Sequence, residues 1–299
     1  MTPYTRIHSW RGLELRALRR LWPERTLRYS LGSGESFVLH VGDKLSELIY
    51  TGRNYEPLES AFCSRYLRPG DVAYDVGANV GYFTALFSRR VGREGVVVAF
   101  EPGHHTYRLL TKTIERLALG NVIGLPMALW HRSEVLSLHS SRSGGDAQQS
   151  VARRDKHGSD TVLMPVPALS FADLMASEWF QAQAAPALIK IDVEGAETQV
   201  IEGLASFLDA QASPTPALLI ECNAEALRSL GNDPVVLLQR LQRWYELRAT
   251  PLCWPPWQAA GGRFSLIDDP QIAAGNVELN VLAVPRTGPF RARVLKALG

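Results

Sequence analysis

The chain of 299 residues has few cysteines, no long apolar run and almost no net charge. Its three cysteines are far apart and odd in number, which argues against a disulfide framework and favours a reducing compartment. None of them has a histidine at metal-ligand spacing, so we expect no structural zinc site. A formal net charge of +2 is too small to indicate nucleic-acid binding by the whole molecule.

Segments that would cross a membrane or direct secretion are also missing. No apolar run approaches the roughly 18–20 residues that span a bilayer. The first residues are polar and rich in arginine, without the apolar centre of a signal peptide. Apolar residues make up 46% of the chain and charged residues 21%, as is usual for globular proteins. We therefore expect a soluble, cytoplasmic protein.

The N-terminal segment differs from the rest in charge, since residues 1–28 contain seven arginines and two glutamates. Within it, "RGLELRALRRLW" (11–22) interleaves leucines with arginines, as an amphipathic helix does. Two interpretations stay open: a solvated helix that covers one edge of the core, or a helix that lies on an anionic surface or a partner. We assign residues 1–54 to an N-terminal extension of a basic helix and short strands, with a strand pair within 36–50.

From residue 55 to residue 290 the sequence alternates short apolar runs with longer amphipathic segments. The runs that indicate strands are 72–76, 96–100, 121–126, 187–191, 217–222 and 277–284. Nearly continuous apolar strands separated by helices indicate an α/β fold with a parallel sheet covered on both faces. Helices are expected at 56–67, 82–90, 105–118, 196–209 and from Asp233-Pro234 onward.

Two stretches break this alternation. Residues 141–160 are polar and rich in glycine and serine, and residues 250–264 are irregular and carry Trp254 and Trp257. Long irregular segments in a compact domain are often functional, so both are expected to border a substrate site. Plain core packing is the alternative for the two tryptophans.

The stretch "YDVGANVGYFT" (74–84) indicates a strand end, a glycine-rich turn and a helix start. A dinucleotide-binding fingerprint needs glycine at three positions, and Asn79 and Tyr82 occupy two of them. A phosphate-binding loop is excluded as well, because no Gly-Lys-Ser/Thr follows. The pattern that remains is Asp75, Gly77 and Gly81, with Asn79 between the glycines.

This pattern suits a nucleoside cofactor that carries an amino-acid tail and no phosphate. We expect Asp75 to accept a hydrogen bond from an ammonium, Gly77 to let the backbone come close, and the helix start at Gly81 to offer N–H groups to a carboxylate. Glu101, twenty residues after Gly81 at the end of the next strand, is expected to hold both ribose hydroxyls. The cofactor with these groups is S-adenosyl-L-methionine.

Over residues 45–285 the sequence resembles the FkbM family of S-adenosylmethionine-dependent methyltransferases. The motifs that carry the resemblance are "YEPLE" (55–59), "PGDVAYDVGANVGYFT" (69–84), "AFEPG" (99–103), "MAL" (127–129), "IKIDVEGAE" (189–197) and "LLIECN" (218–223). The resemblance implies a class I methyltransferase fold, which is Rossmann-like, with a seven-stranded, mostly parallel sheet whose last strand, at 277–284, is antiparallel. Pro102 and Ala128, within these motifs, join the predicted cofactor-binding residues. Glu56 is predicted to reach the cofactor's ammonium, with a plain helix-start role as its alternative.

"IKIDVEGAE" places Asp192 at the carboxyl end of a strand, the edge where open α/β sheets bind ligands. Methyl transfer requires the acceptor oxygen to be aligned with the donor, and a hydroxyl acceptor also loses a proton. Asp192 and Glu194 are the candidates for orienting or deprotonating it, and Glu221 is a weaker one. His104, His105, His131 and His139 are alternatives. Glu197 lies near the predicted start of a helix, where the helix dipole stabilises a negative charge, so a structural role is expected for it.

The predicted activity is O-methylation of a hydroxyl on a small molecule, either a sugar or glycan or a secondary metabolite, and this acceptor class comes from the resemblance. The alternative is a degenerate protein that binds the cofactor, or only a partner, without turnover. An NAD-dependent oxidoreductase and a nucleic-acid methyltransferase are less favoured, since the fingerprint glycines and an Asn-Pro-Pro-Tyr-type base pocket are missing. We expect no nucleic-acid partner and no required metal. Peripheral membrane contact through the basic N-terminus and a homodimer stay open.

Overall fold

The computed structural model describes residues 10–30, 36–52, 55–141, 161–210, 214–251, 263–269 and 278–299. The predicted 141–160 loop lies outside these ranges except for its first residue, and Trp254 and Trp257 lie outside them entirely. The described strands are β1 (Thr26–Ser30), β2 (Ser36–His40), β3 (Val72–Val76), β4 (Val96–Phe100), β5 (Val122–Leu125), β6 (Ala128–Trp130), β7 (Glu134–Ser141), β8 (Thr161–Ser170), β9 (Leu188–Ile191), β10 (Ala217–Asn223), β11 (Tyr245–Pro251), β12 (Ser265–Leu266) and β13 (Glu278–Pro285).

The described helices pack on the faces of the sheets that these strands form. They are α1 (Trp10–Leu21), α2 (Lys44–Gly52), α3 (Pro57–Tyr66), α4 (Tyr82–Val91), α5 (His104–Leu117), α6 (Phe171–Ala176), α7 (Glu178–Gln181), α8 (Glu197–Ala210), α9 (Ala224–Ser229), α10 (Pro234–Leu241) and α11 (Pro289–Leu298). None of the described helices combines the length and the apolar character needed to cross a bilayer.

The main sheet has the strand order β12-β11-β13-β10-β9-β3-β4-β5. Strands β5, β4, β3, β9 and β10 run parallel to one another. Strand β13 runs antiparallel to both of its neighbours, β10 and β11. Seven strands, with the last one antiparallel, form the class I methyltransferase fold, so the predicted fold class is confirmed. The two-residue β12 extends this sheet by an eighth strand at one edge.

Alternate residues of the central strands face two apolar cores. Tyr74, Phe100 and Ile189 lie in one core with α6, α8 and α10. Ala73 and Leu188 lie in the other, which α3, α4 and α11 cover. Because both faces are covered, β3 is buried along its whole length, which explains the unbroken apolar run in the sequence. Each fully buried large side chain contributes roughly 1.5–3 kcal/mol to the free energy of unfolding.

A second sheet of three strands, in the order β6-β8-β7, was not predicted from the sequence. It packs on α8 through Trp130, and a Cβ on Gly203 would lie 2.3 Å from the Trp130 carbonyl oxygen. Strands β7 and β8 pair in antiparallel register across the segment 142–160. The predicted loop is therefore bounded by two long strands.

The predicted strand pair within 36–50 is only half right. Residues 36–40 form β2, but β2 pairs with β1, which precedes it, and residues 44–52 form helix α2. The helix begins because the Asp43 carboxylate accepts a hydrogen bond from the backbone N–H of Ser46, at 2.7 Å. The spacing of Leu45 and Ile49, four residues apart, then directs both toward the core.

Candidate active site

Pairing among three neighbouring strands stops at one level at the carboxyl edge of the main sheet. The last residues through which β3, β9 and β10 pair with one another, Val76, Ile191 and Ile220, lie in one row. The next residue of each strand is Gly77, Asp192 or Glu221, and the backbone N–H of Asp192 donates to the carbonyl oxygen of Val76 at 3.0 Å. The structure thus brings the glycine turn and two of the predicted acidic residues to one edge.

The turn after β3 has a backbone that favours glycine. The φ angles of Gly77, Asn79 and Gly81 are all positive, at 84°, 50° and 87°. A Cβ on Gly77 would lie 1.8 Å from the carbonyl oxygen of Asp192, and one on Gly81 would lie 2.8 Å from a methyl carbon of Leu110. Gly77 therefore allows the turn after β3 to approach the turn after β9, whereas its predicted contact with a cofactor stays a prediction.

Asp75 lies in β3, just below this turn, and is completely buried. Its Oδ2 accepts a hydrogen bond from the Thr84 hydroxyl at 2.5 Å. Within the described residues, its Oδ1 has no hydrogen-bond donor. Burial raises the pKa of Asp75, while the nearby Lys190 ammonium and the Thr84 hydroxyl lower it. An unsatisfied carboxylate oxygen at this depth fits a ligand that brings an N–H donor.

Glu101 stands at the end of β4 and binds both the turn and the next helix. Its Oε2 accepts from the backbone N–H of Asn79 at 2.8 Å, and its Oε1 accepts from the backbone N–H of Gly103 at 2.9 Å and the Thr106 hydroxyl at 2.6 Å. Burial raises the pKa of Glu101, and these three hydrogen bonds oppose that rise. Pro102 is half-buried and directs the chain from Glu101 into the start of α5.

Lys190, which the sequence reasoning did not select, is the buried cation of the site. Its Nζ lies 2.8 Å from Oδ2 of Asp192 and 4.7 Å from the ring centroid of Phe83. Burial by itself would lower the pKa of Lys190, but Asp192, Glu56 and Asp75 more than reverse this and raise it. The sequence feature that could have indicated Lys190 is its position as the single charged residue within the apolar run "ALIKI" (187–191).

The carboxyl groups of Glu56, Asp75, Asp192 and Glu221, here called the acidic cluster, interact electrostatically with this one ammonium. Glu56 is buried at the start of α3 with a φ of 42°. Burial raises the pKa of Glu56 to about 8, against the opposing effect of Lys190. Burial, together with Asp192 and Glu56, raises the pKa of Glu221 well above its ordinary value. At neutral pH, Glu56 is therefore largely protonated.

The other predicted residues lie around this cluster. Glu194 is half-buried in the turn after β9, with a φ of 55°. Glu197, at the start of α8, accepts hydrogen bonds from the backbone N–H groups of Gly195 and Val193, at 3.0 and 3.2 Å. Ala128 begins β6 and pairs with Ala168 in the second sheet.

Within the described ranges, no group of three or more His, Cys, Asp or Glu side chains could hold a metal ion.

The four histidines are spread over several elements. His104 and His105 begin α5, where His104 is exposed and His105 is half-buried. His131 is exposed after β6, and His139 lies half-buried in β7. None of these residues lies on or directly after β3, β9 or β10, the strands that carry Asp75, Asp192 and Glu221.

The strand order, the glycine turn and the acidic strand ends define a class I methyltransferase fold. Comparison with protein families gives a finer assignment. The family model of the methyltransferase FkbM domain matches residues 75–227, about half of the chain. The chain belongs to the FkbM methyltransferase family. The matched region begins at Asp75 and includes Glu101 and the Asp192 turn.

Among curated proteins, the chain is similar to the hexuronic acid methyltransferase AglP of Haloferax volcanii, with 31% identity over 140 residues. These residues are 47% of this chain and 52% of AglP, so the chain spans about half the length of this curated relative. Among solved structures it is similar to an FkbM methyltransferase from Methylobacillus flagellatus, with 13% identity, a TM-score of 0.43 and coverage of 80% of this chain and 54% of that one.

A further solved structure with a similar fold is a SAM-dependent O-methyltransferase from Thermotoga maritima. It has 14% identity and a TM-score of 0.42, with coverage of 89% of this chain and 80% of that one. At these TM-scores, neither structural similarity adds to the assignment that the family match and the strand order already give.

Proposed function

We propose that the protein transfers a methyl group from S-adenosyl-L-methionine to a hydroxyl group of a sugar-containing molecule. The observation that carries this proposal is the position of the Asp192 carboxylate. The Asp192 backbone packs against the Gly77 turn, and its carboxylate, on a side chain that is 22% exposed, pairs with Lys190 at the end of β9. Membership of the FkbM family supports methyl transfer, and the similarity to a hexuronic acid methyltransferase supports a sugar acceptor.

The residues at this edge fit the cofactor. Oδ1 of Asp75 is buried without a donor among the described residues, so an ammonium there would satisfy it. Oε2 of Glu101 accepts one hydrogen bond in the structure and has a second lone pair for a ribose hydroxyl. Helix α4 begins at Gly81 without a side-chain cap, which suits a carboxylate at its N-terminus. When bound, the cofactor supplies a methyl group on a positively charged sulfur.

The charge of the site favours a neutral acceptor. The acidic cluster places four carboxyl groups around one lysine, so a cationic cofactor meets hydrogen-bond acceptors there, whereas an acceptor that enters as a carboxylate meets a single cation that is already paired with Asp192. A hydroxyl is neutral and has a proton to lose, and Asp192 is the proposed acceptor of a hydrogen bond from it. Glu194 and Glu221 are the other proposed acceptor-side groups. The substrate-side loops proposed from the sequence lie mostly outside the described residues.

We also assign the methyltransferase unit to residues 55–290 and the N-terminal extension to 1–54. The extension is packed against the unit, because Phe37 and Ile49 share an apolar core with Phe62 of α3 and Phe83 of α4. Removing the extension is therefore expected to destabilise the unit, and experiments on the activity should use the full chain.

The function is tested by incubating the full chain with S-adenosylmethionine and matched pairs of glycosides, glucuronides against glucosides. Mass spectrometry then detects an added methyl group, and mild base distinguishes a base-stable methyl ether from a base-labile ester. A methyl ether on either glycoside supports the hydroxyl acceptor, and a preference for the glucoside supports the neutral acceptor. An ester alone would contradict the hydroxyl acceptor. Cofactor binding without any methylated product, across a broad panel of hydroxyl compounds, would favour the binding or scaffold protein instead.

A further inference from the structure

Helix α1 has two apolar faces, and only one of them is used in the fold. Leu15 and Leu18 are buried against Leu39 and Val41 of the hairpin and Tyr50 of α2. The Arg11 guanidinium donates to the carbonyl oxygen of Tyr50 at 2.9 Å, and Arg19 forms an ion pair with the buried Glu47. The helix is thus held on the body of the protein by its inner face.

The outer face of α1 exposes large apolar side chains. The residues of this outer stripe are Trp10, Leu13, Ala17 and Leu21. At 100° per residue, the four helical positions fall within an arc of about 80°. Trp10 is 88% exposed, Leu21 59% and Leu13 56%. A tryptophan, two leucines and an alanine on one side of a short helix form an exposed apolar surface, and such a surface typically marks an interaction site.

Arginines line one side of the outer stripe. The segment 10–30 contains six arginines and two glutamates, a net charge of +4, whereas the whole chain carries +2. Arg16 and Arg20 are exposed beside Leu13 on the helix, and the Arg25 guanidinium stacks over the Trp22 ring at 5.2 Å. The acidic residue at the border of the stripe, Glu14, accepts a hydrogen bond from the Tyr50 hydroxyl. The surface is therefore apolar along its centre and cationic along one side.

We propose that the outer stripe docks α1 onto an anionic lipid bilayer, with the helix axis parallel to the membrane plane. Tryptophan is favoured at the boundary between headgroups and acyl chains, and arginine pairs with lipid phosphates. A helix with this composition lies in the interface without spanning it. We choose a lipid surface as the partner because its charge is complementary. The arginines beside the outer stripe face the negative potential of an anionic leaflet, while the apolar side chains of the stripe enter the acyl layer.

The docking is tested by co-sedimentation of the full chain with vesicles of phosphatidylcholine alone, or with about 30% phosphatidylglycerol. We expect a partition coefficient at least about tenfold higher for the anionic vesicles, falling as salt is raised. The variant Trp10→Ser/Leu21→Ser should lose at least about tenfold in binding. Arg20→Ser should lower the partition coefficient about fivefold at low salt, because that is the contribution of one arginine near an anionic surface.

Two controls match these variants elsewhere on the surface. Trp179→Ser removes a tryptophan that is 39% exposed on α7, and Arg243→Ser removes an arginine whose side chain is 60% exposed. Both should bind vesicles as the wild type does. Because Trp10 and Leu21 are exposed, the double variant should keep the wild-type thermal midpoint, which separates lost docking from lost folding.

Three results would overturn the proposal. They are equal or absent binding of the wild type to neutral and anionic vesicles, wild-type binding by the Trp10→Ser/Leu21→Ser variant, and a wild-type dimer that this variant converts to a monomer. The last result would assign the stripe to a second copy of the chain. None of these outcomes depends on methyltransferase activity, so failure of the docking and failure of the proposed function remain distinguishable.

Discussion

The ammonium of Lys190 lies 2.8 Å from Oδ2 of Asp192, at the edge where β3, β9 and β10 end. Lys190 is almost completely enclosed, whereas the Asp192 side chain is partly exposed. One end of this ion pair is therefore anchored in the core, and the other faces the space beyond the sheet. Such a pair holds a carboxylate in a fixed direction.

Replacing Lys190 by methionine should cost on the order of 3 kcal/mol in the free energy of unfolding, because it leaves buried carboxylates without their cation. The double variant Lys190→Met/Asp192→Asn should cost less than the sum of the single variants, with a coupling of about 1–3 kcal/mol. Urea denaturation of the four proteins measures this coupling.

The exposed pair Arg240 and Glu202 provides the control for that cycle. Its coupling, measured with Arg240→Met and Glu202→Gln, should stay below about 1 kcal/mol. Equal coupling in the two pairs would show that burial of Lys190 does not strengthen its interaction with Asp192.

Gly77→Ala should be far more destabilising than Gly231→Ala. Both glycines have positive φ angles, 84° and 75°, so the backbone strain of the substitution is similar. At Gly77 the new Cβ would meet the Asp192 carbonyl oxygen, whereas at Gly231 nothing lies within 4 Å. We expect a loss of about 1–2 kcal/mol for Gly231→Ala and a larger loss, or no folded protein, for Gly77→Ala. Similar thermal midpoints for the two variants would refute the close packing of the turns.

Glu101→Ala should weaken S-adenosylmethionine binding by roughly 1–3 kcal/mol, the value of lost hydrogen bonds to a charged group. The substitution also removes the acceptor for Asn79 and Gly103, so part of the loss comes from loosening the turn. Thr106→Val removes one of the same hydrogen bonds without touching the carboxylate, and it should weaken binding less. Calorimetric titration of S-adenosylmethionine into the wild type, Glu101→Ala and Thr106→Val measures these losses. Unchanged affinity in Glu101→Ala would remove Glu101 from the cofactor site.

Asp192→Ala should leave the affinity for S-adenosylmethionine within about tenfold of the wild type and remove most of the turnover. The reason is that Asp192 is proposed to act on the acceptor and not on the cofactor. Rates of methylation at saturating cofactor, beside a calorimetric titration, separate the two effects. Turnover at the wild-type rate would exclude Asp192 from catalysis.

Cofactor binding should release a proton from Glu56. Its pKa of about 8 in the folded protein means that Glu56 is mostly protonated at pH 6.5, and a bound cation favours the carboxylate. Affinity should therefore rise with pH toward about 8 and then level off. The amino group of the ligand titrates in the same range, with a pKa of about 8, so the comparison with Glu56→Gln is needed.

The number of protons released is obtained by calorimetry in two buffers of different ionisation enthalpy. The wild type should release more protons at pH 6.5 than Glu56→Gln. Equal release by the two proteins would show that Glu56 does not respond to the cofactor.

Much of the main sheet could be predicted because its strands are buried on both faces. The runs at 72–76 and 96–100 coincide with β3 and β4, and the predicted antiparallel strand at 277–284 is β13, one residue further along. Helix α4 was predicted to within one residue, since Gly81 and Gly92 bound it. In such segments local composition and tertiary burial favour the same structure.

The elements that were missed have weaker patterns. Strand β8, "TVLMPVPALS", contains two prolines, which argue against a strand, yet it forms the centre of the small sheet. Residues 44–50 were included in the predicted strand pair because the segment 36–50 partly alternates apolar and polar residues. The Asp43 cap that starts the helix was not recognised.

The candidate site was only partly predictable for a physical reason. Sequence spacing places Asp75, Glu101 and Asp192 at strand ends, and the structure has them there. Spacing cannot show that Lys190 faces the same group of carboxylates, or that Gly77 is required by the Asp192 backbone. Both facts arise from contacts between strands that are more than a hundred residues apart in the chain.

The most direct measurement is a crystal structure of the full chain soaked with adenosylhomocysteine. We predict that its ribose contacts Glu101, its amino group contacts Asp75 and its carboxylate lies at the start of α4. An edge that stays empty at saturating ligand, or that is filled by the protein's own side chains, would contradict the proposed cofactor site and the activity inferred from it.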